Sequence, residues 1–142
     1  MPKSTTFSND WLKLIFNGTP IANLADNAAS APLGSITVAL HTADPGVGGN
    51  QSSSEVSYTG YVRQTVARTS GGWTVTANSV KPVANIVFPV STGGTPTATH
   101  WSVGVAVSGA TKILWSGTVS PNMVISTTVV NTLTSDSIIS ES

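Results

Sequence analysis

Side chains able to perform acid–base chemistry are few in this chain of 142 residues. Six carboxylates are present, and a glycosidase needs two of them facing each other across a glycosidic bond. The sequence does not exclude a pair that meets in space, but Asp10, Asp44 and Asp136 have positions typical of helix starts and turns. The acidic residues are Asp10, Asp26, Asp44, Glu55, Asp136 and Glu141. A carboxylate active site is therefore not predicted.

The two histidines are the other candidates for catalysis. His41 ends an apolar alternating pattern and precedes Asp44 by three residues. One hypothesis makes His41 a general base oriented by Asp44, with a serine elsewhere as nucleophile. The alternative, which we favour, makes His41 a strand-end residue that hydrogen-bonds the turn carboxylate. His100 has neither a cysteine nor an HExxH spacing around it, so it is a weak candidate for a zinc ligand.

Binding motifs for common ligands are also weak. The glycine-rich segment 46–49 lacks the Gly-Lys-Ser/Thr of a phosphate loop, and segment 44–55 has too few carboxylates for calcium. Trp73, Trp101 and Trp115 alternate with apolar neighbours, which favours core packing over a platform for sugars. The sequence thus predicts no catalytic residue, no cofactor and no metal, and a protein that is not an enzyme.

The amino-acid composition limits the classes of partner that the chain is expected to bind. Charged residues make up 8% of the chain and the net charge is zero, against an ordinary charged share of about 25%. No field attracts nucleic acid or an anionic membrane, so neither is an expected partner. A surface with so little charge suits packing against neighbouring proteins, although a neutral secreted or lectin-like module fits the composition equally well. Without cysteine, disulfides and zinc–thiolate sites are excluded.

The N-terminal region predicts a short helix. Ser8 is a suitable N-cap, Asp10 would lie in the first turn, and Gly18 and Pro20 would end the helix. Its apolar side chains must pack either on the chain's own sheet or on a neighbouring subunit. A second helical turn is expected near residues 21–25. We divide the chain into an N-terminal arm with this helix (1–20), a β-sandwich domain (21–134) and a polar C-terminal tail (135–142).

The rest of the sequence alternates as β-strands do. Ile36, Val38 and Leu40 predict a half-buried strand, and residues 61–68 and 73–77 predict a hairpin that turns at 70–72. Further strands are expected near 84–88, 101–107, 113–119 and 124–133, with Pro121 ending the third of these. The small residues on one face of 101–107 predict close packing against a backbone or a helix. About seven or eight such strands indicate an all-β, single-domain, jelly-roll-like β-sandwich.

Several of these segments, taken in order, resemble a family of small virion proteins of tailed bacteriophages. The resemblance begins with Ile36-Thr-Val-Ala-Leu-His-Thr-Ala-Asp-Pro-Gly46, then Glu55-Val56 and Tyr61-Val-Arg-Gln-Thr-Val66. It continues with Asn85-Ile-Val-Phe-Pro89, Ala98-Thr-His-Trp-Ser-Val-Gly104 and Lys112-Ile-Leu-Trp-Ser-Gly117. It extends from about Phe7 to Ile139 and is specific through the order of its motifs. Val62 stands where the family usually has alanine before the arginine.

The resemblance implies a structural role. Members of the family are often labelled tail-fibre proteins, and others resemble capsid cement (decoration) proteins of short-tailed phages. We therefore expect a cement protein that binds the phage head and clamps neighbouring capsomers. The alternative is a tail or tail-fibre component with a receptor-binding role. The implied partners are the major capsid protein and further copies of the chain, as a homodimer or alternatively a trimer. The implied location is the capsid surface of the virion, after synthesis in the bacterial host cytoplasm.

Partner contacts are expected from exposed apolar side chains of the arm and of the loops. The arm 1–20 is the first candidate, and the loops 45–55 and 91–97 are the second. The predicted interface residues are Phe7, Trp11, Leu12, Ile15, Phe16, Val47 and Tyr58.

Overall fold

The computed structural model describes residues 4–21 and 32–141, and its first element is the helix α1, Thr5–Leu12. Ser4 is the N-cap, and its Oγ accepts the Phe7 N–H at 3.2 Å. The predicted N-cap Ser8 was wrong, because Ser8 is buried inside the helix and donates its N–H to Ser4 O. A π-helical turn, Lys13–Asn17, continues α1 and ends at Gly18 with φ 66°. The predicted helical turn near 21–25 lies almost wholly outside the described residues.

The helix packs on the chain's own core. Leu12 and Phe16 lie four residues apart on one face, and both are fully buried. The Phe16 ring meets Trp73 edge-on at 4.8 Å and lies 5.4 Å from the ring of Trp115. Arg68 donates hydrogen bonds to carbonyls at the end of the helical segment and so attaches it to the neighbouring strand. The sequence predicted that this helix packs either on the chain's own sheet or on a neighbouring subunit. The structure shows packing on the chain's own sheets.

Nine strands follow the helix in the described residues. The main sheet has the order β2-β1-β6-β7, and all its pairs are antiparallel. Its strands are β1 (Ser35–His41), β2 (Gln64–Ala67), β6 (Thr97–Gly104) and β7 (Ile113–Val124). A second sheet has the order β3-β4-β9, with β3 (Trp73–Thr76), β4 (Ser79–Pro82) and β9 (Ile139–Ser140). A third sheet pairs β5 (Ile86–Phe88) with β8 (Asn131–Leu133). The predicted all-β sandwich with a short N-terminal helix is confirmed.

Strand β1 is buried on both faces rather than on one. Val38 opposes Val103 and Leu40 opposes Trp101 on the apolar face. The opposite face carries Thr37 and His41, which are also buried. Segment 42–56 covers this second face, because Val56 N–H bonds Leu40 O and the Gln51 side chain lies over the sheet. The prediction of a half-buried strand was therefore wrong.

The small-residue face of β6 is packed closely, as its composition predicts, but against a side chain. A Cβ on Gly104 would lie 2.1 Å from Cδ of Gln51. Any larger residue at position 104 would therefore require the buried Gln51 side chain to move.

One predicted hairpin and one predicted strand end were wrong. Residues 61–68 and 73–77 do not form a hairpin, because β2 pairs with β1 while β3 turns back into β4 at Ala77-Asn78. Ala77 has φ 52°, a left-handed conformation that is uncommon for alanine, so the sequence does not predict a turn there. Strand β7 continues through Pro121, since it lies at the edge of the sheet and is irregularly paired there.

The last described residues are ordered on the smaller sheet. Ile139 in β9 is buried and pairs with Val80 of β4. Glu141 accepts a hydrogen bond from Trp115 Nε1 at 3.0 Å, and its N–H bonds Asn78 O. The segment predicted as a polar tail therefore contributes a strand and one core side chain.

We expect Phe16→Ala to lower the free energy of unfolding by about 3–5 kcal/mol, because it leaves a cavity between Trp73 and Trp115. The matched change Phe7→Ala removes a side chain that is 37% exposed and is expected to cost less than about 1 kcal/mol. Urea denaturation followed by tryptophan fluorescence measures both. Equal losses in the two variants would contradict the core position of Phe16.

Candidate functional site

A serine–histidine pair with the geometry of a nucleophile and its base lies on the polar face of the main sheet. His41 Nε2 is 2.8 Å from Ser102 Oγ, and Nδ1 is 2.8 Å from Ser53 O. Because a carbonyl oxygen only accepts, Nδ1 carries the proton and Nε2 accepts from the Ser102 hydroxyl. Both side chains are completely buried, and burial lowers the pKa of His41. No substrate can reach this pair in the folded chain.

The expected relation between His41 and Asp44 was wrong in both of its forms. Asp44 Oδ1 accepts the N–H of Gly46 at 2.9 Å and so stabilises its own turn. The partner of His41 is Ser102, which is 61 residues away in sequence. No local pattern around residue 41 could have identified it.

A second polar cluster surrounds Arg63, which is only 6% exposed. Its guanidinium holds Glu55 in a bidentate pair at 2.7 and 2.8 Å. The remaining donors bind the carbonyls of Ala106 and Gly109 at 3.0 and 2.9 Å. Tyr61 joins the cluster by donating its hydroxyl to Glu55 and accepting the Leu40 N–H. This network attaches the segments 50–56 and 105–111 to the sheet, so its charges serve the fold rather than a ligand.

The open surface of the main sheet is the outer edge of β7. At the other edge, β5 lies alongside β2. Within the part of the chain that the structure describes, no strand pairs with the outer side of β7. The twelve residues of β7 carry no charge. Proteins normally protect such an edge with charged side chains, and here the protection is limited to Lys112 before the strand and Pro121 within it.

Cavities lie on both sides of this edge. On the apolar side a cavity of about 250 Å³ is lined by Trp101, Trp115 and Ile138, and one of about 590 Å³ continues along 118–123 beside Asp136. The two share Trp101, Thr118 and Ile138, so they form one groove. On the polar side a cavity of about 470 Å³ lies between β7, Val47 and His100. We call β7 with these flanking cavities the β7 edge, and it is the candidate functional site.

The predicted interface residues separate into three groups. Leu12, Phe16 and Tyr58 are buried in the chain's own core, where the Tyr58 hydroxyl donates to Pro89 O at 2.8 Å. Their prediction as contact residues is corrected, since they offer a partner no surface. Ile15 is partly buried against the core. Phe7 and Trp11 are each 37% exposed on α1, and Val47 is fully exposed.

Of these residues only Val47 lies at the β7 edge. The sequence predicted a strand at 113–119 but did not single it out as a site, although one signal was present: all twelve residues of β7 are uncharged.

Among residues 4–21 and 32–141, no three His, Asp or Glu side chains come together as a metal site. The described part of the chain also has no helix long and apolar enough to cross a membrane.

Comparison with known proteins identifies a family. A family model described as podophage GP4 fiber I protein gp80 matches residues 2–139. No curated protein matches the chain. The family match confirms the resemblance to virion proteins of short-tailed phages, and its description names a fibre.

The buried His41–Ser102 pair predicts a pH dependence of stability. Because burial lowers the folded pKa of His41 below the ordinary 6.5, the unfolded chain binds the proton more tightly. The contribution of His41 to stability is therefore complete above pH 6.5 and falls as the pH drops below it. We expect the urea midpoint to decrease between about pH 7.5 and about pH 5.5.

The variant His41→Gln is expected to be less stable and to lose much of this decrease. The matched variant His100→Gln leaves His41 in place and should keep it. An unchanged pH dependence in His41→Gln would show that His41 is not its source.

Proposed function

The chain belongs to the gp80 family of podophage GP4 fiber I proteins, and from that premise we propose that it is a structural subunit of a fibre on the virion of a short-tailed phage. The observation that carries this proposal is the family match, which spans residues 2–139. At the coarser level the chain is a phage virion structural protein.

The proposed role is non-enzymatic and depends on contacts with other proteins. The one serine–histidine pair found in the described residues is sealed inside the fold. The charged Arg63–Glu55 pair is likewise used internally. What the chain offers a partner is neutral and partly apolar: the β7 edge, and the exposed pair Phe7 and Trp11. Such surfaces suit association with other subunits better than turnover of a small substrate.

The capsid cement role, which the sequence resemblance implied first, is retained as the alternative. A cement protein would need the same neutral contact surfaces, directed at the major capsid protein. The family description names a fibre, and for this reason we prefer the fibre.

Labelling of intact virions tests the fibre proposal. Gold-labelled antibodies raised against the purified chain are expected to bind at fibres projecting from the particle, with the head surface bare. Virions from a phage in which the coding sequence is disrupted serve as the control and should lose both label and fibres. Label spread evenly over the head would contradict the fibre proposal and support the cement alternative.

The exposed pair on α1 gives a second test, of docking. Phe7 and Trp11 are four residues apart, so they lie on the same face of the helix. Deleting residues 2–17 would also remove Leu12 and Phe16 from the core, so a point change is required. We expect Trp11→Ala to reduce incorporation into virions about tenfold, as the loss of a tryptophan anchor does.

The matched variant Val87→Ala alters another exposed apolar side chain and should be incorporated normally. Circular dichroism confirms that both variants are folded. Undiminished incorporation of folded Trp11→Ala would exclude α1 as the docking element.

A further inference from the structure

We propose that the groove on the apolar side of β7 is a binding site for a neutral oligosaccharide, with the indole N–H of Trp101 as a donor to the ligand. We call it the Trp101 groove, and its two parts share Trp101, Thr118 and Ile138. The proposal gives the fibre subunit a ligand, so it rests on the proposed function for its setting in the virion. The binding itself is a property of the purified chain.

Three tryptophans pack in or against the core, but their indole N–H groups differ in what they contact. The N–H of Trp73 is enclosed in the core without a partner, and the N–H of Trp115 donates to Glu141 Oε2 at 3.0 Å. Trp101 lines both parts of the groove. Its N–H has no hydrogen-bond partner in the described residues and, unlike that of Trp73, is not enclosed. The groove therefore contains a donor that is available to a ligand.

Gly117 keeps this donor accessible. It is the residue of β7 directly opposite Trp101, and directly opposite residues place their side chains on the same face of a sheet. A Cβ on Gly117 would lie 3.8 Å from Trp101 Nε1, which is an ordinary contact distance, and the φ of Gly117 is not left-handed. The packing therefore does not require glycine at position 117, whereas access to the indole N–H does.

The two walls of the groove add further donors and acceptors. In the described residues no strand pairs with the outer side of β7, so backbone N–H and C=O groups are available along that wall. The groove follows residues 115–123 of β7, which at about 3.3 Å per residue is roughly 25 Å and longer than one sugar ring. The opposite wall carries hydroxyl groups, on Thr132, Thr134 and Ser137. A matching ligand both donates and accepts hydrogen bonds at several points, as the hydroxyls of a sugar chain do.

The charges around the groove favour a neutral ligand. Asp136 is the one charged side chain among the described residues that line it. Its carboxylate is 83% exposed and can accept hydrogen bonds from hydroxyls, and Lys81, at 3.4 Å, is already paired with it. The lining thus offers no free cation to attract a phosphate or a sugar acid.

The apolar part of the lining suits the C–H faces of sugar rings. Trp115 is half-buried, and Ile138 is 58% exposed. Aromatic and apolar side chains with a few polar groups among them are the usual lining of ligand sites, whose volumes are about 300–1,000 Å³. The larger part of the groove, at about 590 Å³, lies within that range. Shape, polarity and charge therefore match one class of ligand, which is rich in hydroxyls and uncharged.

An array of bacterial surface polysaccharides tests the proposal, with neutral hexose polymers printed beside polymers that contain uronic or sialic acid. The purified chain is expected to bind neutral polymers and to bind them more strongly than the acidic ones. An uncharged Ser-Val peptide on the same array represents an extended protein partner. A chain that binds no neutral polymer, prefers the acidic ones or binds the peptide alone would overturn the proposal.

A substitution at Gly117 tests the position of the site. Gly117→Val is expected to weaken binding of an oligosaccharide from the strongest neutral polymer about tenfold, because valine covers the Trp101 N–H while suiting a strand. The matched variant Gly34→Val makes the same change where a Cβ meets nothing within 4 Å, and it should keep the wild-type affinity. Calorimetric titration measures both, and circular dichroism checks their folding. Undiminished affinity in folded Gly117→Val would refute the proposed site.

Nuclear magnetic resonance of the wild type keeps the proposal falsifiable if Gly117→Val does not fold. The indole N–H signal of Trp101 should shift during titration with the same oligosaccharide, while that of the enclosed Trp73 stays in place. A Trp101 signal that does not move at saturation would overturn the proposal. Label on fibres without glycan binding would remove this inference alone, whereas glycan binding at Trp101 with label on heads would remove only the fibre proposal.

Discussion

Strand β1 lies in the middle of the main sheet with both of its faces removed from water, so each face needs its own cover. The apolar face, with Val38 and Leu40, is covered by α1 and by the smaller sheet that carries Trp73. The opposite face holds polar side chains, and burying them is costly unless every group is hydrogen-bonded. The segments that cover the polar face therefore have to bring partners with them, and this requirement shapes much of the chain between residues 41 and 63.

The polar cover explains why residues that resemble catalytic groups are structural. His41 has one acceptor and one donor to satisfy, and Ser53 O and Ser102 provide the two partners. Arg63 donates hydrogen bonds to Glu55 and to loop carbonyls. A buried ion pair is strongly destabilising when one partner is lost, at about 3–5 kcal/mol, so such a pair fixes its loops in one arrangement. Lys+Arg and Asp+Glu number six each, so the buried pair removes one charge of each sign and leaves the exterior without net charge.

That neutral outside is suited to a virion subunit. A free protein normally uses surface charge and a protected sheet edge to stay apart from its copies. Here the longest strand, β7, is uncharged, and in the described residues its outer side is unpaired. An edge of this kind is a liability for a free protein, whereas in an assembly it is a surface that another subunit can cover. The chain belongs to a family of podophage fibre proteins, so the assembly concerned is a phage particle.

The sequence by itself determined the features that depend on consecutive residues. Alternation at Ile36, Val38 and Leu40 identified a strand, and the apolar neighbours of Trp73 and Trp101 identified core positions. The low charge and the lack of cysteine limited the classes of chemistry. The strand and the core positions were predicted correctly because periodicity acts locally, without regard to which strand lies beside which.

Only the tertiary structure decided the features that join distant residues. It paired β3 with β4 rather than with β2, brought Ser102 to His41, and placed Phe16 between two tryptophans. It also buried Tyr58 and left the edge of β7 open within the described residues. Burial and strand order result from contacts between segments that are far apart in sequence. The exposure of an apolar side chain, and hence its availability to a partner, is for that reason fixed only when the whole chain has folded.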